Sequence, residues 1–258
     1  MNRPVTDAPL PGWMRALAEA AATIPASAVT RFATPAEGGR AASVLMLFGC
    51  NASAVSDGAV VPGPDVLLLE RASTLRSHPG QPAFPGGAAD PGDGGPAGTA
   101  LREAAEEVGL DPATVEIATA LPDLWLPASG FVVTPVLGWW REPHEVHAAD
   151  PAEVASVARV PVSELVDPAN RLRVRHPSGY VGPAFKVRGM LVWGFTAGIL
   201  ATLLELGGWV RPWDRSRVED LPELAVQLSA RTRPRDAAGV DRTVDLPPAS
   251  LDAAEEER

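Results

Sequence analysis

The chain has 258 residues, 46% of them hydrophobic, and a net charge of −10 from 22 Lys and Arg against 32 Asp and Glu. That length allows one sizeable core with appendages, and the acidic balance speaks against a general nucleic-acid or membrane-surface binder. The single cysteine, Cys50, excludes an intrachain disulfide, and its apolar setting LMLFGC reads as a buried thiol in a reducing, cytoplasmic compartment.

Residues 1–40 form a Pro- and Ala-rich lead-in with one helix at 13–24 (WMRALAEAAATI), where Arg15 and Glu19 interrupt the apolar run and argue for a short surface helix rather than a signal peptide. Residues 42–49 and 65–71 are short apolar runs bounded by turn residues, the strand signal. The intervening NASAVSDGAVVPGP reads as a loop, and 72–95 as a long one of the kind that usually serves function inside a compact domain. A helix follows over 96–108, with Pro96 suited to its first turn and Gly109 to a left-handed cap. At about 100° per residue, Glu103, Glu106 and Glu107 share roughly one third of its circumference, opposite Leu101, Ala104, Ala105 and Val108. Like charges at that spacing repel, and clustered carboxylates suit hard cations such as Mg²⁺ or Mn²⁺ that also bind phosphates.

Strands are expected at 114–121 and 131–140, with Pro135 pointing to an edge or a bulge. Residues 152–160 alternate towards Pro161, 162–166 form a helical turn, 172–188 a strand pair, and 193–206 a buried closing helix. Strands alternating with helices suggest a mixed sheet between helices. The domain is expected over 41–213. Residues 214–258, thin in apolar content and ending AAEEER, read as a mobile acidic tail. His144, His147 and His176 lack further ligands at zinc spacing.

The carboxylate helix belongs to a longer pattern. Gly87 is followed six residues later by Asp93, then by Arg102-Glu103-Ala104-Ala105-Glu106-Glu107-Val108-Gly109-Leu110. This resembles the signature of the Nudix hydrolase superfamily: Gly, an acidic residue six later, then Arg-Glu-(apolar)-x-Glu-Glu-x-Gly-(apolar). It departs in having Asp rather than Glu at 93, and one more residue between Asp93 and Arg102. Leu75-Arg76-Ser77-His78-Pro79-Gly80-Gln81-Pro82-Ala83-Phe84-Pro85-Gly86-Gly87 resembles the added motif of the branch acting on coenzyme A (the CoA pyrophosphatases), which also carries the Asp and the longer spacing. LPASGFVVTPV at 126–136, Pro151-Ala152-Glu153-Val154 and Trp193-Gly194-Phe195-Thr196-Ala197 resemble further blocks of that branch, in order, so the likeness spans 42–212. Ala88 stands where the branch has Lys.

The resemblance implies an α/β fold, a Nudix-type α/β/α sandwich with a mixed β-sheet. It implies hydrolysis, with Mg²⁺ or Mn²⁺ as cofactor, of the diphosphate of coenzyme A or acyl-CoA to 3′,5′-ADP and (acyl-)4′-phosphopantetheine. On its motif positions Glu103 and Glu107 ligate the metal, with Glu106 a further ligand or an orienting partner. Arg102 pairs with a box carboxylate, so Glu103, Glu106 and Arg102 form the catalytic set. Arg71, Arg76, His78, Gly86 and Gly87 are the substrate-binding candidates, and Asp93 is a loop anchor. Glu103 and Glu153 both stand as candidates for the general base. Two other readings are the same enzyme class acting on NADH or ADP-ribose, and a non-catalytic ligand-sensing module, against which three retained glutamates speak. The expected partner is a nucleotide-like small molecule, without nucleic acid or membrane; a homodimer is compatible.

Overall fold

The computed structural model describes residues 3–35, 38–51, 55–56, 59–60, 63–75 and 78–230. In chain order these form helix α1 (Gly12–Thr23), strands β1 (Arg40–Asn51), β2 (Val55–Ser56), β3 (Ala59–Val60), β4 (Gly63–Arg71), β5 (Pro82–Ala83) and β6 (Gly86–Ala88), then helix α2 (Pro96–Val108). Strands β7 (Val115–Ala120), β8 (Leu124–Leu126), β9 (Phe131–Trp140) and β10 (Val154–Pro161) follow, then the helical turn α3 (Val162–Leu165). Strands β11 (Arg171–Arg175), β12 (Val181–Val187) and β13 (Met190–Val192), helix α4 (Gly194–Leu206), strand β14 (Val218–Asp220) and helix α5 (Glu223–Ala230) complete it.

The large sheet runs β10-β4-β1-β9-β7, with β5 added to β4, β6 to β1 and β8 to β9. β1 and β9 are parallel and the other pairings antiparallel, so the sheet is mixed. Alternation sends Met46, Phe48, Val66 and Leu68 to one face and Leu45, Leu47, Leu67 and Leu69 to the other. Helices α1 and α4 cover the first face through Met14, Leu17, Ile199, Leu200 and Leu203, and α2 covers the second through Ala100, Ala104 and Val108. A sheet buried on both faces needs apolar residues at every strand position, which is why β1 and β4 read as unbroken runs. The result is the α/β/α sandwich.

Several expectations change. The lead-in helix is no surface appendage: Met14, Leu17, Ala18 and Ala21 are fully buried in the main core. The long loop is stitched into the sheet by β5 and β6. Pro135 lies within the interior strand β9, neither at an edge nor at a bulge. Its carbonyl accepts from Leu121 N (2.8 Å), so its ring nitrogen faces the gap between β7 and β8, where no ladder bond is lost. Cys50 is exposed rather than buried, because it lies at the end of β1, paired with Pro64, beyond the last residue that the helices cover.

A second sheet runs β13-β12-β11-β14. β14 lies parallel to β11, and Leu221 and Leu228 are buried, with Ala225 and Val226 packed on Leu172, Val174 and Ala184. Residues 214–230 are therefore a packed element, not the tail expected from 214. Their few apolar residues are matched by a face more than forty positions upstream, which local composition does not reveal; residues 231–258 lie outside the described residues. Among the described residues no helix is long and apolar enough to cross a membrane.

Candidate active site

Helix α2 sets the site. Pro96 opens it, and Gly109, at φ 66°, closes it by donating its N–H to the carbonyls of Ala104 and Ala105. Packing of Ala100, Ala104 and Val108 on the sheet fixes its rotation. That rotation carries Glu107 inward with its neighbours: its side chain is only 4% exposed, accepts from Gly86 N (2.9 Å) and pairs with Arg71 (3.5 Å). Gly86 is required there. At φ 153° it runs against β1, and a Cβ would stand 2.3 Å from the Ser43 carbonyl oxygen and 2.6 Å from Val44 Cα. Gly87 faces Glu103 just as closely: a Cβ would stand 2.5 Å from its carboxyl carbon. Two glycines thus let the β6 backbone lie directly on two carboxylates one helical turn apart.

Arg102 ties the surrounding loop to the helix. Its Nε donates to Asp93 (2.7 Å), and its Nη2 to Asp93 (3.2 Å), to the Ala88 carbonyl (3.0 Å) and to Glu103 (3.0 Å); its Nη1 donates to Glu106 (3.0 Å). Asp93 also accepts from Thr99 Oγ1 (2.7 Å) and Asp90 N (2.8 Å). The Arg102 bond, then these others, hold its carboxyl well below the usual range, and the guanidinium is raised in turn. Asp93 lies among the hydrogen bonds of its own loop, away from the inner pair. Thr99 was not among the sequence candidates; a buried threonine in a helical first turn carries no hydropathy signal.

The three box glutamates do not converge. Glu106 is 60% exposed and turns to Arg102, four residues back on the same face. Glu103 and Glu107 stay inward. Burial raises the Glu103 pKa against the pull of Arg102. Burial also pushes Glu107 up to about 7, opposed by Gly86 N–H and Arg71, reinforced by Glu103 and Glu153. Glu153, exposed just before β10, adds negative charge from that side, and its carbonyl accepts from Ala72 N (2.8 Å) beside Arg71. His78 sits in a turn at φ 51°, its Nδ1 3.3 Å from Gln81 Oε1, and burial and Arg71 lower its pKa. Arg76 lies outside the described residues.

Two partly desolvated carboxylates, Glu103 and Glu107, form an oxygen donor pair whose charge a hard divalent cation would neutralise. Among the described residues no group of three or more His, Cys, Asp or Glu side chains closes into a cage. Mg²⁺ is commonly bound by one or two carboxylates plus substrate phosphates.

The NUDIX domain family matches residues 52–181. The "Uncharacterized Nudix hydrolase NudL" of Enterobacter sp. (strain 638) is 43% identical over 152 residues, covering 56% of this chain and 76% of that protein. Its namesake in Escherichia coli (strain SMS-3-5 / SECEC) is 39% identical over 154 residues, covering 57% and 77%. The crystal structure of a Nudix hydrolase from M. smegmatis, RenU, superposes at a TM-score of 0.45 with 19% identity, over 69% of this chain and 92% of that one. The chain belongs to the Nudix hydrolase family and is a hydrolase of phosphoric anhydrides.

Proposed function

We propose that the enzyme hydrolyses the diphosphate of coenzyme A or acyl-CoA with Mg²⁺ or Mn²⁺, releasing 3′,5′-ADP and (acyl-)4′-phosphopantetheine. The observation that carries this reading is the Leu75–Gly87 block. Its sequence resembles the coenzyme A branch, and its last two residues are the glycines that lie on Glu107 and Glu103.

Glu103 and Glu107 hold the cation, and Glu106 serves as orienting partner through Arg102. When bound, the ion supplies charge neutralisation and Lewis-acid polarisation of the diphosphate. Arg71 opposes the protonation of Glu107 that burial favours and adds positive charge beside the substrate path. Arg102 and Asp93 fix the loop so that β6 meets the helix in one geometry. Water attacks one phosphorus, the bridging P–O bond breaks, and a carboxylate, Glu103 or Glu153, takes the water proton. Two phosphate monoesters leave. His78 and Arg76, on the loop leading to β6, contact the substrate, Arg76 through a phosphate. Arg76→Ala then costs on the order of 2 kcal/mol in kcat/KM.

The test is kcat/KM across coenzyme A, acetyl-CoA, NADH and ADP-ribose with each metal. Coenzyme A or its acyl form is expected to lead the panel. A leading NADH or ADP-ribose contradicts the substrate assignment, and no turnover of any contradicts the enzyme reading.

A further inference from the structure

The turn His78–Gln81 is held from two sides, by the preceding strand β4 and by helix α5, which is remote in sequence. On one side it is bonded to β4: Gly80 N donates to the Arg71 carbonyl (3.1 Å), and Arg71 N donates to the Gln81 carbonyl (3.1 Å). On the other it meets helix α5. Leu228 Cδ1 lies 3.0 Å from where a Cβ on Gly80 would stand, and Gly80 takes φ 63°. Leu228 is 8% exposed, and its helix is seated on the second sheet through Ala225 and Val226. A continuous line of contact therefore runs from Leu228 to Gly80, through the Arg71 backbone, to the Arg71 guanidinium and the Glu107 carboxylate.

We infer that helix α5 is a positioning element of the active site, with Leu228 as the residue that holds the His78–Gln81 turn in place. The turn needs such a brace. His78 adopts a left-handed conformation that costs a residue with a Cβ, and such strain persists only where surroundings over-determine it. Within the turn, His78 is bonded to Gln81, so a shift of Gly80 moves both. Thr196 Oγ1, donating to the Pro82 carbonyl (3.0 Å), pins the segment just after the turn, and Leu228 meets the turn itself. The proposal rests on the reading of this loop as the substrate side of the site, and it gives the segment beyond residue 213 a role in substrate binding.

Leu228→Ala in the full chain tests it by two readouts. Amide hydrogen exchange of the metal-free, substrate-free protein is expected to speed up at residues 78–82 and to stay unchanged across 96–108. With the best substrate of the panel, KM is expected to rise on the order of tenfold while kcat stays within about twofold, since small misplacement of binding groups acts on that scale. Leu228→Met, which refills the space, restores both. Gly80→Ala approaches the same contact from the other side: it speeds exchange alone, and less so when combined with Leu228→Ala, because the truncated side chain makes room. Unchanged exchange at 78–82 in Leu228→Ala, or equal effects of the Ala and Met variants, overturns the inference. So does a loss that falls on kcat alone. Because exchange is read without substrate, a failed substrate assignment leaves that outcome distinct.

Discussion

Glu107 is a carboxylate only 4% exposed, pushed up to about 7 mainly by burial. Between the ordinary 4.5 and about 7, the folded metal-free protein keeps a proton that the unfolded chain releases. Its stability therefore falls as pH rises across that interval. Glu107→Gln removes the buried charge and keeps an oxygen for Gly86 N–H. Metal-free, the variant is expected to be more stable than wild type by on the order of 1–3 kcal/mol near pH 8, with the gap closing as pH falls towards 4.5. With Mg²⁺ it is expected to lose at least about a hundredfold in kcat. Denaturation across pH and steady-state kinetics check both parts, and near-normal turnover would remove Glu107 from the metal site. Asp93→Ala strips Arg102 Nε of its partner and leaves Thr99 and Asp90 N without their acceptor. Activity is expected to fall on the order of tenfold or more, as for other groups that orient a metal-binding side chain. Wild-type kcat and metal dependence in that variant would show the loop anchored elsewhere.

At the scale of elements, local pattern was a good guide where burial follows chain period. Helix α2 and strand β9 have the bounds that apolar spacing, Pro96 and Gly109 suggest. What escaped the pattern depends on partners distant in sequence. β5 and β6 are two and three residues long, too short for periodicity, and exist because β4 and β1 offer edges to them. Pro135 sits inside a sheet because β7 and β8 leave a gap there. β14 and α5 are ordered by the apolar face of β11 and β12. Truncation after residue 213 removes Leu221 and Leu228 from buried positions and uncovers Leu172, Val174 and Ala184. Burying each leucine stabilises by about 2 kcal/mol, so the truncated chain is expected to melt several degrees lower in a thermal scan. An unchanged midpoint would show that the segment adds nothing to the fold.

The whole molecule presents an active site built at a junction: α2 supplies carboxylates, β6 supplies a glycine wall, and the second sheet with α5 backs the loop between β4 and β5. The helical placement of Arg102, Glu103 and Glu107 was legible, because a helical face and a motif coincide there. The division of labour among the glutamates was not. Glu106 shares the face by angle, yet Arg102 draws it outward, and only the three-dimensional course of the 88–93 loop sets that competition. Glu153, exposed in the turn before β10, is tied to the box by no helical or strand period, and only its place in a branch-like block singled it out. Under the proposed function, an acidic chain takes a polyanionic substrate through a local balance of Arg71, Arg102 and a divalent ion rather than through overall charge. The most direct measurement of this account is mass spectrometry of the products from coenzyme A, with Mg²⁺ and with EDTA. Equal amounts of 3′,5′-ADP and 4′-phosphopantetheine with Mg²⁺, and neither with EDTA, are the predicted result. Cleavage at the 3′-phosphate in place of the diphosphate, or the same products in EDTA, would contradict it.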